Sequence, residues 1–179
     1  GYDDLMALLP KVVEAQEEPF GSAGIVMQHV VMQRARAAGI PVLLDGQGGD
    51  ETLLGYKKYV AAYLAGQWRD AGWQGLRNAI RAAGQNNASW SAPRLAMYWA
   101  GSRMAGLRYR YHRWEHRYLT AAPPLPAHLT EYARASSDNF ELQRLEIEKT
   151  NLPALLRYED RNSMAHSVET RLPFLDYRL

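Results

Sequence analysis

Ile40-Pro41-Val42-Leu43-Leu44-Asp45-Gly46-Gln47-Gly48-Gly49-Asp50-Glu51 decides the fold. Its first five residues form an unbroken apolar run. A run apolar on both faces predicts a strand buried in a parallel sheet over residues 40–44. The Gly-rich turn follows at once, at the carboxyl end of that strand, which is where open α/β sheets hold their ligands. Thr52 onward reads as helix. Before the strand, residues 4–17 form an amphipathic pattern with Leu5, Leu8, Leu9, Val12 and Val13 on one face. Ser22 is the expected N-cap of a second helix running to about Ala38, with Ile25, Val26, Val30 and Val31 inward and Gly39 as its stop. Helix, strand, Gly-rich loop and helix together make the unit of a doubly wound α/β protein.

After the loop the chain reads as helical almost throughout. Segments near 52–65, 68–83, 91–118, 127–137 and 139–149 alternate with Gly, Asn and Pro breaks. Ala121-Ala122-Pro123-Pro124-Leu125-Pro126 is a stiff connector. A last helix is expected from Asn151-Leu152-Pro153, with Asn as cap and Pro in the first turn. The fold class is therefore α/β with a parallel sheet, mostly helical by content.

Composition sets the outer bounds. The 179 residues are 47% hydrophobic and 22% charged, enough apolar material for a packed core. Cysteine is absent, which excludes disulfide scaffolds, iron–sulfur sites and thiol nucleophiles within this sequence. No apolar run approaches the ~18 residues of a membrane helix, and the opening Gly1-Tyr2-Asp3-Asp4 is not a signal peptide. A cytoplasmic domain without membrane contact is expected. Residues 1–60 carry five Lys/Arg against eight Asp/Glu, and the remainder sixteen against eleven, for a net charge of +2. Neither part is charged enough to demand a nucleic acid. Both ends fall in mid-pattern, so the sequence is expected to be a single partial domain over residues 1–179, cut at both ends.

Two stretches carry chemistry. In the loop, glycines let backbone N–H groups approach phosphates without Cβ obstruction. Asp45 closes the strand, and Asp50 and Glu51 sit where the next helix begins. Carboxylates beside a phosphate-sized space suit a nucleotide that carries Mg²⁺, since hard cations take oxygen ligands. Spacing alone fits equally well a tight turn with an acidic helix start, favoured by the helix dipole. The second stretch, Arg157 to Asp176, sets charged residues among small and apolar ones, as a solvated helix face does. His166 within it reads as a structural hydrogen-bonding group rather than a catalyst.

Together the two stretches resemble the asparagine synthetase family. The resemblance rests on Val42-Leu43-Leu44-Asp45-Gly46-Gln47-Gly48-Gly49-Asp50-Glu51 followed by Gly55-Tyr56. It rests equally on Leu156-Arg157-Tyr158-Glu159-Asp160-Arg161-Asn162-Ser163-Met164-Ala165, continuing through Glu169-Thr170-Arg171-Leu172-Pro173-Phe174-Leu175-Asp176. The resemblance implies an ATP-pyrophosphatase domain that adenylates the aspartate side chain with Mg·ATP. Ammonia, released from glutamine by an N-terminal glutaminase domain of the same chain, then attacks the acyl-adenylate. It further implies that Asp45 and Gly46 contact ATP, that Asp50 offers the Mg²⁺ carboxylate and that Glu51 lies beside substrate. Arg161 stands where the family has Lys or Arg, a cation suited to phosphate charge in the adenylation transition state.

Two departures qualify the carry-over. The family's pyrophosphate loop, Ser-Gly-Gly-x-Asp-Ser, does not occur in these residues, so the fragment alone is expected to be inactive. Gln47 occupies the loop position where well-studied members have Glu as a general base. Gln can orient a nucleophile but cannot take its proton. A specialised amidotransferase or ring-closing synthetase of the same fold is thus the second reading. A non-catalytic helical interaction module is the third, drawn from Arg103, Arg108, Arg110, Arg113 and Arg117 interleaved with Tyr109, Tyr111, Trp114 and Tyr118. Without a nucleic-acid reader motif, that interleaving is better explained as Arg and Tyr at the edge of a helical core.

Overall fold

The computed structural model describes residues 2–86, 91–103, 131–132 and 134–178. In chain order these form α1 (Tyr2–Gln16), α2 (Ala23–Ala37), β1 (Val42–Leu44), α3 (Gly49–Thr52), α4 (Lys57–Asn86), α5 (Ala92–Arg103), α6 (Asn139–Glu148), α7 (Asn151–Met164), β2 (Glu169–Arg171) and a 3₁₀ turn, Pro173–Leu175. They divide into two compact units, Gly1–Thr52 with Ile147–Leu179, and Leu53–Glu146. The basic-aromatic residues from Arg108 to Tyr118 lie outside the described residues.

In the first unit the expected strand is present and parallel: Val42, Leu43 and Leu44 pair with Glu169, Thr170 and Arg171. It is shorter than the apolar run and is not buried on both faces. Leu43 packs with Met32, Ala35 and Val168, whereas Leu44 is 75% exposed. The reason is the size of the sheet: two strands among the described residues, covered by helix on one face.

Helix ends follow local chemistry where that chemistry is self-contained. The Ser22 side chain accepts from the Gly24 N–H and caps α2. At the other end Gly39 N–H donates to Arg36 and Ile40 N–H to Ala35, the paired bonds of a Schellman motif. The inward face of α2 differs from expectation. Ile25, Val26, His29, Met32 and Ala35 are buried, and Val31 is exposed. These buried positions recur at three- and four-residue steps, which leaves 31 on the far side and admits a histidine. Asn151 is also not the cap of α7. Thr150 takes that place without a capping side-chain bond, and the Asn151 amide is used elsewhere.

What fixes α1, α2 and α7 to one another is Asn162, which is fully buried. Its Nδ2 donates to the Ile25 carbonyl at 3.0 Å and to Gln28 Oε1 at 2.9 Å. Because the Ile25 carbonyl can only accept, the amide orientation is settled and Oδ1 is the opposite acceptor. It receives Gln16 Nε2 at 2.9 Å and His29 Nδ1 at 3.3 Å. With Nδ1 donating to Asn162, the Nε2 of His29 is left to accept, and His166 Nε2 donates to it at 3.1 Å. Burial, then the neighbouring His29, lower the His166 pKa. Around this polar centre Val12, Ile25 and Val26 pack with Leu5, Leu8, Leu9, Phe20 and Tyr158.

The second unit is helical. Leu64, Leu76, Ala79 and Leu95 form its main cluster, flanked by Val60, Trp68, Ile80 and Trp99. The break expected near Gly66 falls instead at Ala71 and Gly72, where Gly72 has φ 57° and ψ −144°. That region is nearly closed to residues with a Cβ, so the helix turns at the glycine that can enter it. Glu146 is buried in this unit, accepting from the Tyr59 hydroxyl at 2.8 Å and pairing with Lys58 at 2.6 Å.

Asn162→Ala should therefore destabilise the first unit by about 3 kcal/mol or more, since it leaves several buried donors and acceptors unmet. Chemical denaturation checks this. A loss below ~1 kcal/mol would show that the network does not hold the three helices.

Candidate functional site

The loop between β1 and α3 is built by short bonds of its own. Gly49 N–H donates to the Gly46 carbonyl at 3.0 Å, and Thr52 closes on Gly48 with both N–H, 2.9 Å, and Oγ1, 2.8 Å. Gly48 sits at φ 86°, in the left-handed region. A Cβ there would also run into the Leu175 side chain, whose Cγ would be 3.0 Å away. At Gly49 a Cβ would meet the Phe174 ring at 3.3 Å. The second motif thus lies against the first. Phe174 and Leu175 follow β2, β2 pairs with β1, and the parallel register brings both carboxyl ends to one edge.

Asp45, Gly46, Gln47, Asp50 and Glu51 all belong to this loop and the start of α3, but they face different surroundings. Asp45 is half-buried, its N–H donating to the Arg171 carbonyl at 2.9 Å. Gln47 is half-buried, and Gly46 and Asp50 are exposed. Glu51 is buried, its Oε1 accepting from Asn151 Nδ2 at 2.6 Å. Arg161, on α7, pairs with Glu17 at 2.8 Å, outside the loop. No group of three or more His, Asp or Glu converges on a metal-sized point among the described residues.

Sequence reasoning missed Glu159. It is 1% exposed on α7, and neither carboxylate oxygen has a partner at ordinary hydrogen-bond geometry. Burial, then the Asp45 charge, push its pKa up to about 7, and Thr170 from β2 opposes the shift. The signal was present: Leu152, Glu159, Asn162 and Ser163 are all buried, at helical spacing on one face of α7. A separate cleft of about 440 Å³, lined by Pro41, Ser163, Ser167 and Glu169 among others, opens at the amino ends of the strands, away from the loop.

An acidic, Gly-rich loop at the carboxyl edge of a parallel strand pair defines a mostly helical α/β ligand-binding domain. The chain belongs to the asparagine synthase family, whose model matches residues 1–179. Searches of curated proteins and of solved structures returned no match. Membership assigns the chain to a class of ATP-dependent amide-bond synthases. No helix among the described residues is long and apolar enough to cross a membrane.

Two outcomes are expected from this geometry. Gly48→Ala combines left-handed strain with a clash on Leu175, and should destabilise the first unit by about 1–3 kcal/mol in denaturation. Glu159 binds its proton more tightly folded than unfolded, so stability should fall as pH rises from about 4.5 to about 7. The full difference is on the order of 3 kcal/mol. Denaturation at several pH values should show that slope, flattened in Glu159→Gln.

Proposed function

We propose that this chain is the adenylating part of an enzyme that makes asparagine from aspartate, ATP and glutamine-derived ammonia. The observation that carries the reading is the packing of Leu175 and Phe174 on Gly48 and Gly49. It joins the two stretches that resemble asparagine synthetases into one edge, next to the carboxylates of the loop. A glutaminase domain upstream in the same polypeptide would supply the ammonia, and the missing Ser-Gly-Gly-x-Asp-Ser loop would come from the same region. The domain is proposed to be cytoplasmic.

In this reading Asp45 and Gly46 contact the nucleotide and Glu51 lies beside the substrate. Glu51 is held by Asn151, so its part would be to set the shape of the pocket floor unless that bond is exchanged for a substrate amine. Asp50 is exposed and suits Mg²⁺, an ion that takes one or two carboxylates and fills its other positions with water and phosphate oxygens. Bound there, the ion would neutralise charge on the departing pyrophosphate. Arg161 would do the same from α7, after leaving Glu17, to which it is paired at 2.8 Å. The side-chain carboxylate of aspartate attacks the α-phosphorus, pyrophosphate leaves, and ammonia then displaces AMP from the acyl carbon.

Gln47 supports a second reading, a specialised amidotransferase or ring-closing synthetase with another acceptor, because its amide cannot take a proton. ATP–pyrophosphate exchange by the full-length polypeptide, with aspartate against other carboxylic acids, separates the two. Exchange that depends on aspartate supports asparagine synthesis, and exchange with a different acid supports the alternative. Asp50→Asn should lower exchange about a hundredfold, the equivalent of roughly 3 kcal/mol of lost charge stabilisation. Gln47→Glu should change amide formation more than exchange. Normal exchange in Asp50→Asn would remove the proposed metal position.

A further inference from the structure

His29 and His166 meet edge to face beside the Asn162 centre, their ring centres 4.3 Å apart and their planes inclined at 65°. Their Nε2 atoms stand 3.1 Å from each other. A straight N–H···N bond would separate the ring centres by that distance plus the depth of both rings. The centres are closer than this, so the bond is bent and weaker than a straight one. The same separation has a second use. Two imidazole nitrogens 3.1 Å apart can both reach one ion at about 2.0–2.1 Å, at an angle between those of square and tetrahedral sites.

Both rings are held before any ion arrives. His29 is buried on α2, and its Nδ1 donates to Asn162 Oδ1 at 3.3 Å, which leaves the lone pair on Nε2. A hydrogen bond from the far ring nitrogen is what orients histidine ligands in metal sites. His166 lies in the turn after α7, and that turn is closed by its own bonds. Its N–H donates to the Ser163 carbonyl at 3.1 Å, and Val168 N–H donates to the same carbonyl at 3.0 Å. His166 is half-buried, so the pair opens to water on its side. No third His, Asp or Glu converges with the two rings among the described residues.

We propose that His29 and His166 bind a divalent transition metal of the zinc class through their Nε2 atoms, tying α2 to the turn between α7 and β2. On binding, the proton of His166 moves from Nε2 to Nδ1, so both rings remain neutral ligands. Water fills the remaining positions. Imidazole nitrogens without a carboxylate select zinc, copper or nickel over magnesium or calcium, which take oxygen. Two protein ligands make a weaker site than the three or four of catalytic and structural zinc, so the ion loads reversibly. The site uses none of the loop residues and is independent of the amide-synthase reading.

The test is a titration of the full-length polypeptide, carrying carbon-13-labelled histidine, with zinc chloride. The ring signals of His29 and His166 should move together and saturate at sub-millimolar zinc, and the Tm should rise with zinc concentration. In His166→Gln, a change at a half-buried side chain, the His29 signal should shift only at zinc concentrations at least about tenfold higher. Magnesium chloride at the same concentrations should leave both rings in place. The proposal is overturned if zinc moves neither ring in the unmodified protein, a result that does not depend on the variant folding. It is overturned equally if magnesium moves the same two rings, or if His166→Gln leaves the zinc response of His29 unchanged.

Discussion

The first unit depends on the saturation of one side chain. Asn162 has two donors and two acceptor positions, and all four are used inside the protein. One bond leads to the end of α1 and three to the first turns of α2, and His29 carries the connection on to the turn that holds His166. Apolar packing around Val12 and Val26 supplies attraction without direction. The amide supplies direction, because any other rotation of α7 would leave buried polar atoms unmet at 1–3 kcal/mol each.

Fixing the rotation of α7 has consequences one turn away. Glu159 precedes Asn162 by three residues and shares its buried face, so the bonds that hold Asn162 also hold Glu159 inside. Arg157 and Arg161 then emerge on the outer side, where Glu18 and Glu17 meet them. The helix leads through the His166 turn into β2, and β2 sets the register of β1 and the position of Leu175 over Gly48. A single helix therefore carries an interior carboxyl, two outward cations and the strand that aligns the loop.

Several elements were legible because their causes are local. Ser22 and Gly39 end α2 through bonds to residues two to five positions away, so the amino-acid type is sufficient information. The glycines of the loop announced a turn for the same reason. Reading failed where a distant partner decided. Asn151 has the chemistry of a cap but is drawn to Glu51, one hundred residues earlier. Val31 is more apolar than His29, yet His29 is inside because Asn162 gives its ring a partner. The helix break falls at Gly72 rather than between residues 65 and 68, where Gly66 offered the same backbone freedom.

The sequence by itself determined the parallel strand, the Gly-rich acidic loop at its end, the capped helix before it and the family to which these belong. Those are properties of short segments, written in side-chain type and spacing. Only the tertiary structure decided what surrounds each carboxyl group. Asp50, Glu51 and Glu159 are acids of nearly equal intrinsic strength, and nothing in a linear string separates them. One is exposed to water, one is bonded to Asn151, and one is buried, where desolvation raises its pKa. Desolvation and a neighbouring charge set the strength of an acid, and both are properties of the folded surroundings.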